Sequence, residues 1–127
     1  MENESTQKEQ DVQVIIEPGI CGFPGSIRVK RAGRYSVTIE VKSGCQQIKG
    51  LASVLEEMTI SELFLPASRN PVYRAAEMAN CHASCSYPSA ILKAAEVALE
   101  MALPKEVTIR FREKEGEIGR ASCRERV

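Results

Sequence analysis

The sequence predicts an α+β domain in which helices pack on one face of a four-stranded, mainly antiparallel sheet. Three N-terminal segments and one C-terminal segment alternate apolar with polar residues, which is the pattern of half-buried strands. Between them, three stretches place apolar residues at helical spacing on one face. The predicted order of elements is therefore β-β-β-α-α-α-β, without an internal repeat.

Turns that contain glycine or proline separate the first three predicted strands. Pro18 and Gly19 end the first strand, and Ala32 and Gly33 separate the second from the third. The last strand follows the third helix, which we expect to end at Pro104. The apolar positions of the four strands are Val12, Val14 and Ile16, then Ile27 and Val29, then Val37, Ile39 and Val41, and finally Val107, Ile109 and Phe111.

Capping residues mark the predicted helix starts, because their side chains can accept hydrogen bonds from the first free backbone N–H groups. The signals for the three helices are Ser43 with Gln46, Asn70 before Pro71, and Ser86 before Pro88. Thr59 with Glu62 has the same capping-box spacing and is predicted to begin a short turn that ends at Pro66. The signal at Ser43 places Cys45 in the first turn of a helix. The buried face of that helix is predicted to comprise Ile48, Leu51, Ala52, Leu55 and Met58. The apolar face of the third helix is predicted to comprise Ile91, Leu92, Ala95, Ala98, Leu99 and Ala102.

A single α+β domain is expected over residues 12–112, between a disordered leader (residues 1–11) and a tail (residues 113–127). The tail has no strand or helix periodicity, and its final stretch resembles a translated sequencing adapter. We therefore expect it to be non-native or disordered, and we assign Cys123 to no site.

Composition excludes several classes of function. Seventeen basic residues balance seventeen acidic ones, Trp is absent and aromatic residues make up 5% of the chain, so nucleic-acid binding is not expected. No apolar run approaches the roughly 18 residues of a membrane span, and the polar N-terminus resembles no secretory signal. These features predict a cytoplasmic protein, in which cysteines are reduced thiols or metal ligands rather than disulfides.

The predicted topology brings the cysteines together at one end of the sheet. Cys21 lies in the loop after the first strand, and the third strand returns to deliver Cys45 at the same end. The second helix then runs back to that end of the sheet, where Cys81, His82 and Cys85 connect it to the third helix. The positive end of a helix dipole favours a thiolate at Cys45 and at Cys85.

Three functions fit this cluster. The first is a zinc or iron–sulfur centre held by Cys21, Cys45 and Cys85, with His82 or Cys81 as the fourth ligand. The second is a redox or nucleophilic enzyme in which Cys85 attacks and His82 is its neighbour. The third is a non-catalytic interaction module with structural cysteines, since free cysteine often packs as a small apolar residue. The sequence does not identify a protein or small-molecule partner.

Several motifs in order resemble a small, uncharacterised family with Cys and His motifs that occurs mainly in anaerobic bacteria and methanogenic archaea. They are Gly19-Ile-Cys-Gly-Phe23, Cys45 at a helix start, His82-Ala-Ser-Cys85, Pro88-Ser-Ala-Ile-Leu92 and Ala102-Leu-Pro-Lys105. The resemblance covers about Val12 to Phe111. It implies that Cys21, Cys45, His82 and Cys85 occupy recurring positions, whereas Cys81 falls outside the pattern. An anaerobic setting favours an iron–sulfur centre over zinc, but the resemblance implies no reaction.

Overall fold

A computed structural model describes residues 11–113, except for the side chain of Cys21. Most of the predicted leader and of the predicted tail lies outside these residues. Four strands form one antiparallel sheet in the order β1-β2-β3-β4, which confirms the α+β class. The strands are β1 (Asp11–Ile16), β2 (Gly25–Arg31), β3 (Ser36–Ser43) and β4 (Glu57–Thr59).

Four α-helices and two short 3-10 turns complete the described part of the chain. The helices are α1 (Gln46–Val54), α2 (Ile60–Leu63), α3 (Pro71–Met78) and α4 (Tyr87–Ala98), and the 3-10 turns are Gly19–Cys21 and Ala67–Arg69. The order of strands and helices is therefore β-β-β-α-β-α-α-α. None of the helices between residues 11 and 113 has both the length and the apolar character needed to cross a bilayer.

The predicted fourth strand is wrong. Val107, Ile109 and Phe111 form no strand and are exposed. The sheet takes its fourth strand from the residues after α1, where Met58 is 1% exposed and lies opposite Val37 of β3. Three residues are too few to show strand alternation in a sequence. The spacing of Met58 from Leu55 instead fits the buried face of the preceding helix.

The predicted helix start at Asn70 is confirmed in detail, and the predicted turn after Thr59 begins as the short helix α2. Thr59 Oγ1 accepts from the Glu62 N–H at 3.2 Å, and the Thr59 N–H donates to Glu62 Oε1 at 2.9 Å, forming a capping box. Asn70 Oδ1 accepts from the Val72 N–H at 3.0 Å, with Pro71 in the first position of α3. Asn70 is buried, and its side-chain amide also bonds carbonyl groups at the end of α2.

The other predicted boundaries need correction. Ser43 and Gln46 form no capping box, because Ser43 Oγ accepts from the Cys45 N–H at 3.1 Å and Cys45 itself is the N-cap of α1. Ser86 is the N-cap of α4, but its side chain makes no capping hydrogen bond. The helix ends at Ala98 rather than near Pro104, since the Met101 N–H closes the helix end on the Glu96 carbonyl at 2.8 Å.

The core lies between the sheet and the helices. Helix α4 packs on β1 and β2, and α1 packs on β3. Ile27, Val29 and Val37 contribute fully buried side chains from the strands, and Tyr87 and Ile91 contribute them from α4. The polar positions of the same strands lie on the other face of the sheet.

Candidate functional site

The strand register aligns three chain segments at one end of the sheet. Ile16, the last residue of β1, pairs with Gly25, and Gly25 pairs with Ser43 at the end of β3. The loop that carries Cys21 and the segment that carries Cys45 therefore leave the sheet side by side. The backbone of Cys21 ends the 3-10 turn that the Gly22 N–H closes on the Gly19 carbonyl at 3.0 Å.

Tyr87 connects the N-terminus of α4 to these two segments. Its hydroxyl donates to the Phe23 carbonyl oxygen at 2.7 Å and lies 3.2 Å from Ser43 Oγ. The Phe23 ring also packs against Gly44, where an added Cβ would lie 3.4 Å from Phe23 Cδ1. Because Cys85 immediately precedes the N-cap of α4, these contacts hold it at the same end of the sheet as the Cys21 loop.

Gln47 contacts two of the thiols. Cys45 Sγ donates to Gln47 Oε1 at 3.3 Å, and Cys81 Sγ donates more weakly to the Gln47 carbonyl oxygen at 3.9 Å. Close packing of α1 on the end of α3 makes this possible, since an added Cβ on Gly50 would lie 3.3 Å from Ala79 Cβ. Cys45 and Cys81 therefore approach the same residue from different parts of the chain.

Cys81 follows a helix end that turns sharply. Asn80 adopts a left-handed conformation with φ of 62°, and the Cys81 N–H closes the end of α3 on the Ala76 carbonyl at 2.9 Å. Burial raises the pKa of the Cys81 thiol, and the neighbouring Cys85 and Cys45 thiolates raise that pKa further. Cys81 therefore lies within electrostatic range of both Cys85 and Cys45.

The three described cysteines share an environment at the margin of the core. Cys45, Cys81 and Cys85 form no disulfide, are half-buried and pack against core residues. Cys45 is the N-cap of α1 rather than a residue of its first turn, so it still lies at the positive end of that helix.

His82 has a different environment. Its ring is exposed, and Nδ1 lies 3.1 Å from Ser84 Oγ. Its carbonyl accepts from the Cys85 N–H at 3.1 Å, which forms the turn between α3 and α4. The main contribution of His82 visible here is therefore to the shape of the loop that carries Cys81 and Cys85.

Within the part of the chain that the structure describes, no three His, Cys, Asp or Glu side chains are arranged to hold a metal ion. Of the predicted ligands, Cys45 and Cys81 contact the same residue, Gln47, and Cys85 lies within electrostatic range of Cys81. The His82 ring hydrogen-bonds Ser84, and the side chain of Cys21 lies outside the described residues. The sequence prediction missed Gln47 and Tyr87. Only Tyr87 had a signal, as an aromatic residue between Cys85 and Pro88 at a predicted helix start.

The chain belongs to the family of unknown function DUF6951, which it matches over residues 12–111. The matched span contains Cys21, Cys45, Cys81 and Cys85 and excludes Cys123. No curated protein and no solved structure matches the chain.

Proposed function

We propose that this protein binds a thiophilic metal centre, zinc or an iron–sulfur cluster, through the thiolates of Cys21, Cys45, Cys81 and Cys85. The observation that carries the proposal is the contact of Cys45 and Cys81 with the same residue, Gln47. The electrostatic effect of the Cys85 and Cys45 thiolates on Cys81 adds support. Four thiolates are a common ligand set for structural zinc and for iron–sulfur clusters.

The fourth position is better assigned to Cys81 than to His82. Cys81 is half-buried and contacts the Gln47 carbonyl next to Cys45, whereas the His82 ring is exposed and hydrogen-bonds Ser84. The resemblance that ranked His82 above Cys81 rested on motif positions alone. An imidazole ligand would have to leave Ser84 and turn towards the thiols.

The proposed centre would join three parts of the chain that are far apart in sequence. Cys21 comes from the loop between β1 and β2, Cys45 from the start of α1, and Cys81 and Cys85 from the connection between α3 and α4. Because the pKa of the Cys81 thiol is raised, metal binding at neutral pH would release a proton from it.

Metal analysis of the full chain purified without oxygen tests this proposal. We expect stoichiometric zinc or iron, with acid-labile sulfide and visible absorption distinguishing a cluster from zinc. Cys45→Ser, Cys81→Ser and Cys85→Ser should each lose most of the bound metal. His82→Ala and Cys123→Ser serve as matched controls and should retain it.

Metal-free parent protein after purification and after reconstitution with zinc or with iron and sulfide would refute the proposal. Full metal content in Cys81→Ser combined with loss in His82→Ala would refute the assignment of the fourth ligand. A metal-free protein in which Cys85 is alkylated much faster than Cys45 and Cys81 would favour thiol chemistry instead.

A further inference from the structure

The chain after α4 carries a row of exposed apolar side chains. Residues 101–113 are exposed along their whole length, and from Leu103 onward they form no helix, turn or bend. Leu103 is 86% exposed, Val107 62%, Ile109 82% and Phe111 93%. Single exposed apolar residues are normal on a protein surface, but a row of large ones marks an interaction site.

The pattern of this segment is that of a β-strand. Val107, Ile109 and Phe111 would share one face, and the polar Thr108 and Arg110 would share the other. A sheet edge is the partner that satisfies both the backbone groups and the apolar face of such a segment. The segment therefore has the properties of a strand that lacks its sheet in this single chain.

The same chain presents a suitable sheet edge at β1. Among residues 11–113, β1 pairs with β2 alone, and its other edge pairs with no strand. Residues 12–16 contain no proline and no charged residue, and the charge of Asp11 is paired with Arg28 at 2.8 Å. Edge strands usually carry charges, prolines or bulges that prevent pairing with another chain, and β1 lacks these protections.

The burial of β1 also points to a missing neighbour. Val12 and Val14 contact the core but are only partly buried, and Ile15 on the opposite face is 78% exposed. The other edge of the sheet differs, because β4 has only three residues and begins with Glu57. A short charged strand of this kind resists pairing, so β1 is the edge on which a fifth strand would add.

The end of α4 lies at the end of the sheet where β2 finishes. Glu100 adopts a left-handed conformation with φ of 63°, and its Oε2 lies 3.9 Å from Arg31 Nη1 at the end of β2. The chain thus leaves the domain at the end opposite the cysteines, where β1 begins opposite Lys30. From that exit, residues 104–113 do not turn back onto β1 of the same chain.

We propose that two copies of this chain exchange their C-terminal segments, so that residues 104–113 of each copy add a fifth strand to the free edge of β1 in the other. The segment is long enough, since ten residues in a strand span roughly 33 Å and the six of β1 span about 20 Å. Reciprocal exchange closes a two-fold dimer and covers Val107, Ile109 and Phe111 beside Val12 and Val14. This dimer uses no cysteine and does not depend on the metal centre.

Sedimentation and light scattering of the full chain test the exchange. We expect a particle of twice the 14.0 kDa chain mass. Ile109→Asp should raise the dissociation constant of the dimer at least about tenfold, because it places a charge on the apolar face of the added strand. Phe64→Asp is the matched control, since Phe64 is also exposed, at 60%, but lies at the end of α2. It should leave the mass unchanged.

Intermolecular contacts provide the second readout. In a mixture of isotope-labelled and unlabelled chains, we expect isotope-filtered contacts between Ile109 of one copy and Val12 or Val14 of the other. A monomeric parent chain would overturn the proposal, as would a dimer that Ile109→Asp leaves intact. A monomer whose Val107 to Phe111 amides are protected from hydrogen exchange would show that the segment pairs with its own β1 and would also overturn it.

Discussion

Replacing Tyr87 with Phe tests how the Cys21 loop is held to the rest of the fold. Tyr87 is fully buried, and its hydroxyl donates to the Phe23 carbonyl oxygen at 2.7 Å and lies 3.2 Å from Ser43 Oγ. Phe retains the ring and therefore the packing of α4 on β1 and β2. The substitution consequently isolates the hydrogen bonds that join the start of α4 to the loop and to β3.

The magnitude follows from the surroundings of the hydroxyl. A hydrogen bond within a protein contributes about 1 kcal/mol net, and a buried carbonyl left without a partner adds to the loss. The hydrogen bond is only partly buried, so water can replace the hydroxyl at the Phe23 carbonyl and the loss stays in the lower part of the range. We expect Tyr87→Phe to lower the free energy of unfolding by about 1–2 kcal/mol, which corresponds to roughly 5–10 °C in Tm for a domain of this size.

Urea unfolding followed by circular dichroism measures this effect. The midpoint should fall while the dependence of the free energy on urea stays unchanged, because the folded domain keeps its core. Tyr35→Phe is the matched control, since Tyr35 is 60% exposed, and it should change the midpoint little. Equal stability of Tyr87→Phe and the parent protein would refute the conclusion that this hydroxyl holds the loop.

Two further predictions concern the sheet. Gly25→Ala should destabilise the fold by about 2–3 kcal/mol in urea unfolding, because an added Cβ would overlap the β3 backbone. Gly33→Ala is the control and should be tolerated, since its added Cβ would meet only a side-chain oxygen at 3.5 Å. Equal effects of the two substitutions would contradict this reasoning. The hydrogen bond from Arg28 lowers the pKa of the Asp11 carboxyl. The pair should therefore stabilise the fold fully at pH values above the usual Asp pKa. This stabilisation should be lost as the pH falls through the lowered pKa of Asp11. Asp11→Asn should flatten that part of the pH–stability curve, and an unchanged curve would contradict the assignment.

Much of the sheet was predictable because its strands have one buried and one exposed face. Val29 and Val37 are fully buried while Lys30 is exposed, so the alternation in the sequence reports the two faces directly. Strand β4 was not predictable, since it buries only one side chain, Met58. Its position depends on pairing with β3, where the Ile39 N–H donates to the Glu56 carbonyl at 2.9 Å just before β4 begins. A sequence pattern does not contain such a long-range contact.

The error at the C-terminal segment has a different cause. The alternation of Val107, Ile109 and Phe111 is typical of a strand, but period-two alternation does not specify which edge a strand joins, and these residues form no strand in the single chain. In the single chain the position of the fourth strand is taken by Glu57–Thr59 next to β3. A strand pattern without a sheet in its own chain is the expected consequence if the pairing edge belongs to another copy.

The candidate site was predictable only as far as topology determines it. Antiparallel strands and short connections return the chain to the same end, which is why Cys45 and Cys85 could be expected near each other. The role of Gln47 was not predictable, because it depends on how closely α1 approaches α3 at Gly50 and Ala79. Short-range sequence spacing carries no information about such a helix–helix distance.

The position of the thiols relative to the core determines how metal binding and folding would be coupled. Small zinc domains fold only when metal is bound, because without it they bury too little apolar surface. Here Ile27, Val29 and Ile91 are fully buried between the sheet and the helices, and the thiols lie at the core margin. The metal-free domain should therefore fold by itself, and a bound metal should add stability that grows with its free concentration. If a metal binds as proposed, its removal should loosen the loops that carry Cys21, Cys81 and Cys85 and leave the sheet intact.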